Sequence, residues 1–336
     1  MAKPTIIIVR QLGGIGDVLA LSCVFRGIRE KFPQHEIICV TSRLYLAGGI
    51  LELAEHNPYI DSILVIEPFE ATTQTTKSWW KEFAASPRLE DFAVVRKADF
   101  VIDLNTVCIE TEITECRNFG RVLTPRYKIW CDAAGVVPSS YFPCYEFSKN
   151  ELRAAQQYKK ENWPLGKKVI GVGVAASTPD RSLKPGVLID VCRQLRDAGC
   201  HVVTIDATRK YEDFDYLVGK RIAQLMPLIS EMDVVLSMDS GVLHMAGAVS
   251  TPVIGIFGPT DYKMRMGQYT GSAIDSTQLT PCAPCWYNYP CKKERNPADH
   301  FKCFQKISPS VIVEEVLRWV TWTDRQAAAL PLPVIK

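Results

Sequence analysis

The stretch from residue 234 to residue 261 constrains the fold more than any other. Val234-Val235-Leu236-Ser237 is an apolar run of strand length, residues 241–249 carry apolar side chains at helical spacing, and residues 252–257 form a second apolar run. Two buried strands joined by a helix are the unit of a parallel α/β sheet. The helix therefore points its N-terminus at the carboxyl edge of that sheet, where α/β folds bind ligands. The free N–H groups at Ser240, Gly241 and Val242, with the aligned peptide dipoles, suit a phosphate or diphosphate. The competing reading is structural: Asp239 or Ser240 simply caps the helix. A short polar loop, Gly258-Pro259-Thr260-Asp261, follows the second run.

A second unit of this kind opens the chain. Residues 5–10 (TIIIVR) read as a buried strand, and Gln11-Leu12-Gly13-Gly14-Ile15-Gly16-Asp17 leads into a helix extending to about Phe32. Gly14 and Gly16 let backbone approach a ligand, as in a dinucleotide fingerprint, but Leu19 stands where the third glycine belongs. A carboxylate in the first helical turn repels a pyrophosphate. Asp17 thus suits a base acting on an acceptor hydroxyl better than it suits NAD, with a plain capping or dipole role as the alternative.

The glycine turn ending at Asp17, Lys184 after a strand and polar loop, and the segment 239–246 with its Gly-Pro-Thr-Asp resemble glycosyltransferase family 9, the ADP-heptose heptosyltransferase family, from Ile6 to about Trp319. The resemblance implies a GT-B fold: two Rossmann-like α/β domains facing across a cleft, inversion at the anomeric carbon, an ADP-sugar donor and no catalytic metal. One departure is plain, since no tryptophan follows Lys184-Pro185.

Length suits this organisation, because 336 residues are long for one domain and comfortable for two. The expected boundaries are residues 1–145 for an acceptor-side domain, 146–322 for a nucleotide-sugar domain with a cysteine-rich insertion at 280–304, and 323–336 for a tail. Strands are expected at 36–41, 63–66 and 100–104, and helices at 44–55, 78–96 and 125–135. Trp79-Trp80 offers either an acceptor wall or a half-buried packing pair. In the second half, 168–174 and 201–205 read as strands, 186–198 and 308–319 as helices. The 39 Lys plus Arg against 37 Asp plus Glu leave no basic field for nucleic acid. With no apolar run near the roughly 20 residues that span a bilayer, the expectation is a cytoplasmic protein that meets a membrane only peripherally, through its acceptor.

An inverting transfer needs the acceptor hydroxyl deprotonated and the departing phosphate stabilised. Asp17 is the candidate base, a role worth about 100 to 10,000-fold. Lys184, Ser177, Thr178, the helix start at Ser240, Gly241 and Val242, and Thr260 are the candidate diphosphate ligands. Gly258, Asp261 and Asp239 organise the site, Asp239 by accepting backbone N–H bonds. His244 either contacts phosphate or orients the loop. Gly219-Lys220-Arg221 resembles the family segment that lines the nucleotide base pocket. The acceptor class stays open among a glycan, a lipopolysaccharide core and a protein.

Of twelve cysteines, eight (Cys23, Cys39, Cys108, Cys116, Cys131, Cys144, Cys192, Cys200) are scattered among apolar residues and read as reduced core thiols. Cys282, Cys285, Cys291 and Cys303 cluster in a segment rich in prolines, charges and aromatics. Such a segment gains most from a metal staple, zinc or iron, with His300 as a substitute ligand and two disulfides as the alternative. Two rival functions draw on the same features. A nicotinamide oxidoreductase lacks its third glycine and, at Thr41-Ser42-Arg43, its acidic residue. A metal-stapled binding protein leaves both helix-start sites unexplained.

Overall fold

The computed structural model describes residues 6–10, 14–42, 49–66, 98–104, 106–176, 181–207, 211–276, 279–280, 282–287 and 302–329. The chain divides into two compact units, Met1–Phe147 and Ser148–Lys336. The expected helix at 78–96, with Trp79 and Trp80, lies outside the described residues, as do 44–48. Among the described residues, no helix is long and apolar enough to cross a membrane.

The first unit contains β1 (Ile6–Arg10), α1 (Ile15–Lys31), β2 (Glu36–Ser42), α2 (Ile50–Glu55), β3 (Ser62–Ile66), β4 (Phe100–Asp103), α3 (Val107–Phe119) and α4 (Arg126–Ala134). Its strands are parallel in the order β3-β2-β1-β4. The order reverses between β1 and β4, so the crevice outside their carboxyl ends is the natural ligand position. Leu21, Val24, Phe25 and Ile28 form the apolar stripe of α1 and pack with Ile37 of β2 and Ile129 and Trp130 of α4. A Cβ on Gly27 would stand 2.9 Å from Val136, so glycine lets α1 and the chain after α4 approach closely. Helix α3 goes beyond the expected elements. Its Val, Ile and Thr residues have weak helix propensity, which burial of Cys108 and Glu112 overrides.

The second unit contains α5 (Lys149–Asn162), β5 (Val169–Gly173), α6 (Pro185–Asp197), β6 (His201–Asp206), β7 (Asp215–Val218), α7 (Ile222–Ser230), β8 (Val234–Met238), α8 (Gly241–Ala248), β9 (Val253–Phe257), α9 (Tyr262–Met266), β10 (Gly271–Asp275), α10 (Lys302–Gln305) and α11 (Pro309–Ala329). Ser148 and Glu151 open α5 with a reciprocal capping box, at 3.2 and 2.7 Å. The parallel sheet has the order β10-β9-β8-β5-β6-β7, with its reversal between β5 and β8. Every residue of β5, β8 and β9 is buried, as strands covered on both faces must be. One face carries α6 and α11, whose Leu188, Val191 and Leu195 meet the same core as Ile312 and Val316. Helix α11 runs past the expected end at Trp319 to Ala329, with Pro309 at its first position.

Candidate functional site

Asp17 sits in the first turn of α1, after the carboxyl end of β1. The N-cap is Gly14, whose backbone N–H donates to Asp17 Oδ2 at 3.2 Å, the one half of a capping box that a glycine N-cap can form. Gly14 has an ordinary extended backbone at φ −75°, so its lack of a side chain matters here and its conformational freedom does not. The other oxygen, Oδ1, accepts from Arg126 Nη1, at the start of α4. Arg126 also makes a two-pronged bond, 2.8 Å on each side, to Glu112 of α3. Burial alone lowers the Arg126 pKa, but Glu112 and Asp17 outweigh it and hold the guanidinium well above its usual value. Glu112 has no side-chain exposure and Asp17 has 30%, so Asp17 is the carboxylate of this cluster that a substrate can reach. Neither Arg126 nor Glu112 is foreseeable from sequence, because the pairing with Asp17 spans 109 residues.

At the switch point of the second unit, the loop after β8 carries Asp239 and Ser240 into α8. Ser240 is the N-cap, yet its Oγ pairs with Ser237 Oγ at 2.9 Å and makes no cap bond to the helix. The capping reading for Ser240 is therefore not what the geometry shows. A Cβ on Gly173 would lie 2.6 Å from Ser237 Oγ and 3.1 Å from Val242, so glycine at the end of β5 lets the start of α8 sit against the strand.

Asp239 is 3% exposed, and the partners expected for it were backbone N–H groups. Those found are side chains: Arg181 Nη1 at 3.5 Å, Arg265 Nε at 3.8 Å and His244 Nε2 at 3.8 Å. Burial pushes its carboxyl up, but nearby His244 and the charges of Arg265 and Arg181 prevail and hold it well below the carboxylate range. His244 turns its other ring nitrogen to Tyr269 Oη at 2.9 Å, so one ring nitrogen faces Asp239 and the other Tyr269. Arg181 also donates to the Asp239 carbonyl at 3.1 Å.

The remaining candidates fall around this centre. Lys184 is the exposed N-cap of α6 and precedes Pro185 at the first helical position. Ser177 and Thr178 lie outside the described residues. Thr260 is 1% exposed, and its Oγ1 has no hydrogen-bond partner among the described residues. Asp261 caps α9 by accepting from the Lys263 N–H at 2.9 Å. Gly219, Lys220 and Arg221 stand exposed beyond β7, two strands from β5. Lys220 lies 5.3 Å from the Tyr158 ring, and Arg221 is the N-cap of α7.

Two of the clustered cysteines pack on the Gly258-Pro259 turn. The Cys285 N–H donates to the Pro259 carbonyl at 2.9 Å, and Cys303 Sγ lies 3.0 Å from where a Cβ on Gly258 would stand. Both are buried and Cys282 is exposed, while Cys291 and His300 lie outside the described residues. Among the described residues, no group of three or more His, Cys, Asp or Glu is arranged to hold a metal ion. Of the scattered cysteines all but Cys116 are buried, and none of the eight is joined in a disulfide.

Two parallel α/β units, each with candidate residues at its switch point, define the class. Residues 141–295 match the model of Glycosyltransferase family 9 (heptosyltransferase), a match that supports glycosyltransferase activity. The fold is shared with a glycosyl transferase family 9 protein from Veillonella parvula DSM 2008, at 15% identity and TM-score 0.68, over 94% of this chain and 97% of that one. The E. coli ADP-heptose LPS heptosyltransferase II is also similar, at 13% identity and TM-score 0.64, over 95% of this chain and 99% of that one. The iron-containing dodecameric glycosyltransferase TibC from enterotoxigenic E. coli H10407 aligns at 14% identity and TM-score 0.64, covering 97% of this chain and 78% of its own. No curated protein matches the chain significantly.

Proposed function

We propose that this chain is an inverting glycosyltransferase of GT-B type that moves a sugar, heptose in the first instance, from an ADP-sugar to a hydroxyl of a glycan, lipopolysaccharide core or protein. The observation that carries the donor side is the start of α8. Its N-cap side chain makes no cap bond, and the guanidiniums of Arg181 and Arg265 lie against the Asp239 carboxylate beside it. A helix N-terminus favours a diphosphate. This segment lies within residues 141–295, matched by the family model, and a TibC structure is in complex with ADP-D-beta-D-heptose.

In this reading the N–H groups of Gly241 and Val242, the Thr260 hydroxyl, Lys184, Ser177 and Thr178 hold the diphosphate as charge develops on the departing oxygen. Asp17 takes the proton from the acceptor hydroxyl as it attacks the anomeric carbon. Gly219, Lys220 and Arg221 border the base. Catalysis uses no metal. The four cysteines hold a structural zinc or iron: the Cys285 backbone N–H and the Cys303 thiol both lie at the Gly258-Pro259 turn, and thiolates suit either ion. The protein works in the cytoplasm and meets a membrane only through its acceptor.

An ADP-release assay across a panel of nucleotide sugars tests the proposal, since slow donor hydrolysis is visible without the acceptor. ADP release from an ADP-sugar, with tight ADP binding and no NADH binding, is the expected result. NADH binding would favour the oxidoreductase. Failure to bind either nucleotide would leave a metal-stapled binding protein.

A further inference from the structure

We infer that Arg126, clamped by the buried Glu112, is a positioning residue for Asp17; the inference rests on the reading of Asp17 as the base. Three elements converge on one guanidinium: Asp17 from α1, Glu112 from α3 and Arg126 from α4. Glu112 has no side-chain exposure. Burying a carboxylate is costly, and its two-pronged bond to Arg126 offsets that cost and locks the plane of the guanidinium. Only then can a further N–H of the same group be aimed at a fixed point, and that point is Asp17 Oδ1.

The Gly14 N–H holds the other oxygen, so donors from two separate segments pin both oxygens of Asp17. A base fixed in this way meets an acceptor hydroxyl without first losing rotamer freedom. The charge count matters equally. An arginine paired with Asp17 alone would neutralise it, whereas this guanidinium is shared between Asp17 and Glu112.

The competing possibility is that Arg126 only ties three helices together. Arg126→Gln alone breaks the two-pronged bond to the buried Glu112 carboxylate, so the test variant is the amide pair Glu112→Gln with Arg126→Gln, which removes both charges together. Turnover is read as ADP released from ADP-heptose and ADP affinity by calorimetry, in wild-type and Asp17→Asn backgrounds. The amide pair should lower kcat by about 100-fold in the wild-type background. It should leave the ADP Kd within about three-fold, and it should cause no further loss when Asp17 is already Asn. A kcat within about three-fold of wild type, or the same fractional loss in both backgrounds, would overturn the inference while leaving the base intact. Wild-type turnover in Asp17→Asn by itself would instead remove the base reading, and the inference with it.

Discussion

Arg181 stands over the Trp286 ring, 5.2 Å from its centroid, and so joins the loop after β5 to the segment that carries Cys282 and Cys285. The same guanidinium bonds the Asp239 carbonyl, while the Trp286 N–H bonds the Pro259 carbonyl at 2.8 Å. The loop after β5, the start of α8 and the Gly258-Pro259 turn are therefore one connected structure. Trp286→Leu keeps apolar bulk but removes the π-face, and should cost about 0.5–2 kcal/mol. Urea denaturation checks this; an unchanged midpoint would make the contact incidental.

Asp17→Asn should lower transfer by about 100 to 10,000-fold, leaving a residual rate, while ADP affinity stays within about a few-fold, because the base acts on the acceptor rather than the donor. Single-turnover kinetics alongside calorimetry separate the two effects. Near wild-type turnover would leave Asp17 with only the capping bond from the Gly14 N–H and the ion pair to Arg126.

Lys184→Ala should weaken ADP binding by about 1–3 kcal/mol, the scale of a charge-assisted bond. Lys184 is exposed at the mouth of α6, free to reach a phosphate. Unchanged affinity by calorimetry would pass the cationic role to Arg181, which is already fixed beside Asp239.

The second unit was largely legible in sequence because β8 and β9 are buried on both faces, and such strands read as unbroken apolar runs with the intervening helix start marked by Ser240-Gly241. Helix α3 was not, since β-branched residues blur its period and burial of Glu112 decides it. Arg126, Glu112 and Arg181 escaped notice for another reason. A charged residue on an isolated helix or loop reads as a solvated surface group, and only the fold brings Arg126 to Asp17 or Arg181 to Asp239.

Asp239 should give the second unit a distinct acid sensitivity. Its carboxyl is held below the unfolded carboxylate value of about 3.9, so its contribution is fully present above that pH and is lost as the pH falls below it toward the folded value. Asp239→Asn removes the carboxylate from two arginines and His244, and should cost about 3–5 kcal/mol near neutrality. The variant should then lose less additional stability than wild type between about pH 4 and pH 2. Parallel acid slopes in denaturant titrations of the two proteins would place the acid-sensitive group elsewhere.

Cys285 and Cys303 reach the Gly258-Pro259 turn from opposite sides in sequence, one before and one after the segment at 288–301, and α11 follows. A metal held by these two with Cys282 and Cys291 would pin the turn that carries Thr260, whose buried hydroxyl is a candidate phosphate donor. Its contribution would be to folding, because a short segment without a core of its own gains its order from the ion. Purified protein should carry about one tightly held zinc or iron per chain. Cys285→Ser should lose that metal and become less stable, with kcat falling in step with the unfolded fraction and recovering at lower temperature. A chemical role would instead reduce kcat at every temperature. Elemental analysis finding no stoichiometric metal in protein prepared without chelator, with four titratable thiols in this segment, would leave plain reduced cysteines packed on the turn.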